Sequence, residues 1–322
     1  MKKIIVTGGC GYIGSHIVKA LKLSGDYDIT VIDLVRRDHT LVNSNHFIQA
    51  DYDSEEVYAY LKQWLPDAIV HCAACVKVGE SVYDPAMYYT NNVNKSTNFF
   101  SQVCNLKKLP VVVFSSSAAV YGNPTVIPVT EDAPILPINP YGHTKAMIEQ
   151  ILTDYGTAYR LKSACLRYFN ASGADPFEYK LGQEPDATHI IARLLEAKYH
   201  NGTFDLHGTD YNTPDGTCVR DYVHVWDLAV AHIKAIEYLL YTGKSVKLNL
   251  GTNIGHSNRE IINECINRTG FIVIHEGPRR PGDPDILVAD ASRARDLLNW
   301  TPIYSDLYTI VNSAWQWMHY TK

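Results

Sequence analysis

Nine residues near the start, Thr7-Gly8-Gly9-Cys10-Gly11-Tyr12-Ile13-Gly14-Ser15, constrain the fold more than any other part of the chain. An apolar stretch, Lys3–Thr7, precedes them, and a stretch compatible with helix, Ser15–Leu23, follows. Gly9, Gly11 and Gly14 fit one dinucleotide-loop spacing, and Gly8, Gly11 and Gly14 fit a second. A strand that turns sharply into a helix needs glycine for the turn, for close approach of backbone to a pyrophosphate, and for helix–strand packing. The helix N-terminus then offers free N–H groups and a positive partial charge to phosphate. An acid stands where such a loop requires one: Asp33 follows Gly14 by 19 residues, at the end of a second apolar strand, Ile29–Asp33. A carboxylate there meets the adenosine ribose hydroxyls and repels a 2′-phosphate, which favours NAD. Arg36 and Arg37 point the other way, since arginine holds such a phosphate. Asp51, after a third strand at His46–Ala50, is placed either to meet the adenine amino group or to cap the next helix.

Strand and helix patterns go on alternating. Helix is expected over Glu55–Trp64, Met87–Leu106 and 140–159, and strand over Ala68–Cys72, Pro110–Ser115 and Ser163–Tyr168. Strands separated by helices argue for a parallel sheet covered on both faces. After Asn170 the rhythm loosens, with helices expected at 187–199, 226–240, 257–267 and 305–318 and a short strand at Val246–Gly251. The expected class is therefore α/β: a Rossmann-type doubly wound parallel sheet with a smaller C-terminal α+β substrate domain. The expected division is 1–170 for the cofactor, with 226–251 returning to it, and 171–322 for the substrate.

Composition removes several function classes. A net charge of −5 gives no basic field for nucleic acid or an anionic membrane. The apolar run after Lys3 is too short for a signal peptide, and no stretch approaches the ~20 apolar residues of a membrane span. Seven scattered cysteines suit free thiols in a reducing cytoplasm. Cys72 and Cys75, beside His71, form a CxxC with no second pair at zinc spacing; a buried strand end is the simpler reading, a metal or redox role the other.

Tyr141 and Lys145 carry the chemistry. They lie four residues apart in Asn-Pro-Tyr-Gly-His-Thr-Lys, so a helix places them on one face. Asn139 is a good N-cap and Pro140 suits the first helical position. An ammonium beside a phenol favours the phenolate, so the pair is expected to lower the tyrosine from its reference of about 10. Such a tyrosine can take a proton from an alcohol.

With the glycine loop, Asp33, a serine run at 115–117 and Tyr141–Lys145 in order, the chain resembles the extended short-chain dehydrogenase/reductase family from Ile4 to its end. The segments TGGCGYIGSH and PYGHTK are shared across that superfamily. VGESVYDPAMYYTNNV, FSSSAAVYG, LRYFNASGADP, DGTCVRDYVHVWDLA and PRRPGD narrow the resemblance to its nucleotide-sugar epimerases. It implies Tyr141 as base, Ser117 as catalytic serine and Lys145 as their partner. It implies Gly8, Gly11, Tyr12, Ile13, Gly14, Asp33, Asp51, Ala73, Asn92, Ser115, Tyr141, Lys145 and Tyr168 around NAD. It implies Asn170, Arg220 and Arg280 on a UDP diphosphate, Asp283 on the uridine ribose, His189 and His207 in the same pocket, and Leu287 beside the sugar 2-position. No metal is implied.

The implied reaction interconverts UDP-glucose and UDP-galactose at sugar C4, in galactose metabolism, with UDP-N-acetyl sugars as a possible second pair. A homodimer through helices 84–106 and 140–159 is implied as well. The chain departs from the resemblance at Leu34-Val35-Arg36-Arg37, where an asparagine-rich segment is common; at Val76, where some members have lysine; and at His207, where an aromatic ring packs on uracil. Two rivals remain. A 4,6-dehydratase needs an additional acid and base where this chain has Ser115-Ser116-Ser117. A non-catalytic NAD sensor has no need of the Tyr–Lys pair.

Overall fold

The computed structural model describes residues 1–25, 27–183, 188–279 and 283–321. Its strands begin with β1 (Lys2–Thr7), β2 (Tyr27–Asp33), β3 (His46–Gln49), β4 (Ala68–His71), β5 (Val111–Ser117) and β6 (Ser163–Tyr168). They continue with β7 (Asn170–Ser172), β8 (Thr203–His207), β9 (Val219–His224), β10 (Val246–Leu250), β11 (Gly255–Ser257), β12 (Val273–Gly277) and β13 (Ile286–Leu287). Seven of them form one sheet in the order β10-β6-β5-β4-β1-β2-β3, and every pairing in it is parallel.

The apolar runs Ile4-Ile5-Val6, Ile69-Val70 and Val111-Val112-Val113 make the centre of this sheet, because parallel strands are covered on both faces. Alternate residues feed two cores. Ile4, Val6, Val111 and Val113 pack toward the helices Tyr12–Ser24 and Val225–Thr242. Ile5, Val112 and Phe114 pack toward Glu55–Trp64, Lys95–Cys104 and Pro140–Tyr159. This is the expected doubly wound α/β class. The strand order reverses between β1 and β4, so the crevice at the carboxyl ends of those strands is where such a sheet binds its ligand.

One expected helix differs. In place of a single helix over Met87–Leu106 there is an α-helical turn, Pro85–Tyr88, a π-helical stretch, Tyr89–Asn94, and an α-helix, Lys95–Cys104. The wider turn carries Asn92 inward, where it is 3% exposed among polar partners. The apolar spacing on either side is unchanged, so the sequence pattern reads as one helix.

Beyond β6, the helices Ile190–Tyr199, Asn258–Thr269 and Leu307–Thr321 share a core with Phe204, Leu206 and Tyr222. Short strands that the sequence does not announce lie here: β11, β9 and β13 with β7 beside β9, and the separate pair β8–β12. The helix behind the glycine loop is bolted to this part. Tyr12 donates its hydroxyl to the Gly173 carbonyl at 2.6 Å. Lys19 meets Asp175 at 2.7 Å, with both side chains buried, and the exposed Glu178 at 3.1 Å.

Removing one member of a buried ion pair leaves the other desolvated and uncompensated. Asp175→Ala is therefore expected to lower the unfolding free energy by about 3 kcal/mol, read by urea titration. A loss within experimental error would show that Glu178 alone satisfies the ammonium.

Candidate active site

The glycine loop closes on itself. Gly8 has φ +69 and takes a hydrogen bond at its carbonyl from Gly11 N–H at 3.1 Å. A Cβ on Gly14 would lie 2.2 Å from that carbonyl oxygen, and one on Gly8 would lie 2.7 Å from the Ala73 nitrogen. The first turn of the helix starting at Tyr12 holds no acid, so the positive end of its dipole is uncompensated. Asp33 braces the loop: its carboxylate accepts from Cys10 N–H at 2.9 Å and from Val35 N–H at 3.1 Å. Arg36 is paired with the exposed Asp38, and Arg37 reaches back to the Cys10 carbonyl. Asp51 pairs with Lys95, and its Oδ1 is buried without a hydrogen-bond partner, an acceptor open to an amino group. Ile13 packs against the core beneath the loop. A narrow cradle, a bare helix N-terminus and two carboxylates at the ends of β2 and β3 fit a dinucleotide.

Next to this crevice β5 ends in Ser115, Ser116 and Ser117, and the helix Pro140–Tyr159 lies across it. Asn139 caps that helix through Gly142 N–H at 2.8 Å, and Pro140 opens it, as the sequence predicts. The Ser117 hydroxyl lies close enough to Tyr141 to favour its phenolate. Lys145 is 3% exposed and donates from Nζ to the Ser115 carbonyl at 2.8 Å. Asn92 clasps the segment after β4: its Oδ1 accepts from Cys75 N–H at 2.8 Å and its Nδ2 donates to the Cys75 carbonyl at 2.9 Å. The same amide donates to Thr144 at 3.2 Å, one residue from Lys145. Tyr168 is buried with its hydroxyl 2.6 Å from both Ser115 Oγ and His232 Nε2.

The structure corrects one expectation. Loss of water around the phenol pushes Tyr141 above its ordinary value, and the Ser117 contact pulls it back only in part. Lys145 does not offset that burial: the ammonium is turned to the Ser115 carbonyl and stands 5.7 Å from the tyrosine ring centre. The i, i+4 spacing brings the two groups into one pocket but does not by itself make a phenolate.

A second cluster lies at β9 and β13. Arg220 pairs with Asp283 at 2.5 Å and donates to the Val219 carbonyl at 2.8 Å. Leu287 is the strand partner of Arg220. Asn170, at the start of β7, donates to the Asp221 carbonyl at 2.9 Å. His207 ends β8, and His189 is exposed just before the helix Ile190–Tyr199. Arg280 lies outside the described residues. Sequence reasoning missed Tyr211, whose hydroxyl reaches Asp283 at 3.5 Å, and Arg279, stacked 4.2 Å from the Tyr211 ring centre. It also missed Glu149 and Arg167, buried behind the serine run. An arginine in the middle of an apolar strand, as in Ser163–Tyr168, was the available signal, since such a charge requires a partner.

His71 sits among Tyr52, Phe99, Phe100 and Phe114, with ring nitrogens bonded to Thr7 and Ser96. Cys72 takes a hydrogen bond from Ser115, and burial pushes its thiol up to about 11. These contacts make the CxxC a strand end.

Burial pushes the Lys145 ammonium down to about 8 from 10.5. The unfolded chain thus binds this proton more tightly, and the contribution of Lys145 to stability rises with pH between those values. In urea unfolding without added nucleotide, the stability of the parent relative to Lys145→Met is expected to grow from pH ~8 to ~10.5 and to level off outside that window. A difference that is flat with pH would contradict it.

Residues 4–251 match the NAD dependent epimerase/dehydratase family. The UDP-glucose 4-epimerase of Lactobacillus helveticus is 42% identical over 321 residues, covering 98% of this chain and 96% of the relative. Among solved structures, UDP-glucose 4-epimerase from Brucella ovis in complex with NAD is 40% identical with a TM-score of 0.94, covering 98% of each chain. The UDP-glucose 4-epimerase of Stenotrophomonas maltophila, with bound NAD and formylated UDP-arabinopyranose, is 34% identical with the same TM-score, covering 100% of this chain and 99% of the other. With a glycine loop braced by Asp33 beside a serine–tyrosine–lysine constellation, this chain belongs to the NAD dependent epimerase/dehydratase family.

Proposed function

We propose that this chain interconverts UDP-glucose and UDP-galactose at sugar C4, using NAD that it retains through the reaction. The observation that carries the reading is the placement of Tyr141 close to Ser117 at the end of β5, beside the dinucleotide cradle. When bound, NAD supplies a hydride acceptor and then a hydride donor. The glycine loop from Gly8 to Gly14, Asp33 and Asp51 hold its adenosine end, and Lys145 its nicotinamide ribose. Ala73, Asn92, Ser115 and Tyr168 shape the wall between them.

Tyr141, once its own proton has been released to solvent, takes the proton of the 4-hydroxyl as phenolate while Ser117 Oγ holds the same oxygen. The Lys145 ammonium, 5.7 Å from the phenol ring centre, favours that phenolate until the proton arrives. Arg220 has N–H groups beyond those on the Val219 and Asp285 carbonyls and on Asp283, and we assign these to the diphosphate, with Asn170 and Arg280 as its further partners. Asp283 meets the uridine ribose, and His189 and His207 border the base. Anchoring UDP away from the reacting carbon lets the sugar turn and present its other face before the proton returns. Residues 1–170 with 226–251 serve the cofactor and 171–322 the sugar nucleotide. The triple serine leaves no additional acid or base for a dehydratase.

We place the protein in the cytoplasm, in galactose metabolism, as a homodimer through the helices within 84–106 and 140–159. The seven cysteines form no disulfide, which supports a reducing compartment, and among the described residues no helix is long and apolar enough to cross a membrane. Incubation of the purified protein with UDP-galactose, without added reductant, should yield UDP-glucose. Tyr141→Phe should keep NAD and UDP binding but lose at least ~100-fold in turnover; full activity in that variant would refute the assigned role. Leu287, the strand partner of Arg220 and smaller than tyrosine, is on our reading the residue that leaves room at the sugar 2-position. UDP-N-acetylgalactosamine should therefore turn over within about 200-fold of UDP-galactose, since a steric misfit of this size is worth ~1–3 kcal/mol. A complete lack of turnover would show that another wall closes the pocket.

A further inference from the structure

The serine run at the end of β5 meets the helix Pro140–Tyr159 three times, at helix positions four residues apart. Ser117 meets Tyr141, and the Ser115 carbonyl meets Lys145 at 2.8 Å. Ser116 donates its hydroxyl to Glu149 Oε1 at 2.6 Å. Strand alternation explains the division of labour. The side chain of Ser116 points at the helix, as do those of Val112 and Phe114 below it. The Ser115 hydroxyl is instead bonded to Cys72 and Tyr168, so its carbonyl is what reaches Lys145.

Glu149 is itself immobilised. Arg167 on β6 forks onto both its oxygens, at 2.9 and 2.6 Å, and both side chains are almost completely buried. Arg167 is in turn held by the Tyr121 hydroxyl at 2.7 Å and the Glu131 carbonyl at 3.2 Å. Lys247 on β10 stands 3.7 Å from Glu149. A helix resting on a sheet through apolar side chains alone can slide by fractions of an ångström. A buried bidentate pair cannot, because displacement breaks charge-assisted bonds that no water replaces.

We propose that Glu149, fixed by Arg167 and Ser116, is a positioning residue that sets the height of the catalytic helix against β5. It thereby holds Tyr141 on Ser117 and Lys145 on the Ser115 carbonyl. The inference rests on the epimerase reading of the site. Glu149 touches neither substrate nor cofactor and acts through its own helix. Its negative charge also favours the ammonium form of Lys145, one turn away.

The test uses the full-length protein with its retained NAD and UDP-galactose as substrate. Two variants serve: Ser116→Ala, and the pair Glu149→Met with Arg167→Met, which exchanges the ion pair for apolar volume and is the replacement a fold tolerates. Both are expected to keep KM within about twofold. The double variant should lose at least ~10-fold in kcat, as misplacement of reacting groups does. Ser116→Ala should lose several-fold. In both, the acid limb of the kcat profile should move to higher pH, because Tyr141 gives up its proton less readily when Lys145 is out of line. A merely structural role would reduce the active fraction and leave the position of that limb unchanged. A folded double variant with the parent's kcat and pH profile would overturn the proposal. Should that variant fail to fold, an unchanged profile in Ser116→Ala would overturn it equally. If the parent itself shows no turnover, the epimerase reading fails and the variants are not at issue.

Discussion

A single short hydrogen bond, from the buried Lys145 ammonium to the Ser115 carbonyl, joins the two elements on which the site depends. It couples a helix to a strand end, and both must be in place before Tyr141 can meet Ser117. Desolvation makes the bond matter. An ammonium withdrawn from water needs its few acceptors, and the carbonyl at the end of a parallel strand is free to be one. The same desolvation raises the phenol and lowers the ammonium, so Tyr141 holds its proton at rest. On the proposed mechanism Tyr141 gives up that proton before it acts as base, and the cation already in the pocket favours the phenolate.

The local signals were legible where one physical requirement dominates. Glycine at 8, 11 and 14 answers to close backbone approach, and the structure puts atoms within 3.3 Å of any added Cβ at each. Asn139 and Pro140 announce a helix start because capping is local chemistry. The central strands read as apolar runs because both their faces are covered. Asp33 lies where a strand end and a loop turn meet, a distance fixed by one helix and two strands.

Other features depend on contacts between residues far apart in sequence, and no local pattern encodes them. The strands β7, β9, β11 and β13 are two to six residues long and pair across gaps of dozens of residues. The π-helical turn at Tyr89–Asn94 keeps the amphipathic spacing around it and is visible only through the inward Asn92. The pairing of Arg220 with Asp283 joins two residues that sequence reasoning assigned separately to phosphate and ribose. Glu149 has the spacing of a third site residue after Tyr141 and Lys145, yet a carboxylate on a helix usually reads as solvent-facing until Arg167 is seen beneath it.

The outermost strand of the large sheet, β10, comes from residues 246–250, long after its neighbour β6 at 163–168. A nascent chain therefore exposes the open edge of β6 throughout synthesis of the intervening segment. Roughly eighty residues, or several seconds at ribosomal speed, must pass before that edge is covered. An uncovered strand is a template for the wrong partner. The strand β6 carries a hydroxyl at Ser163 and a guanidinium at Arg167, and such polar side chains make a strand a poorer seed for stacking with its own kind.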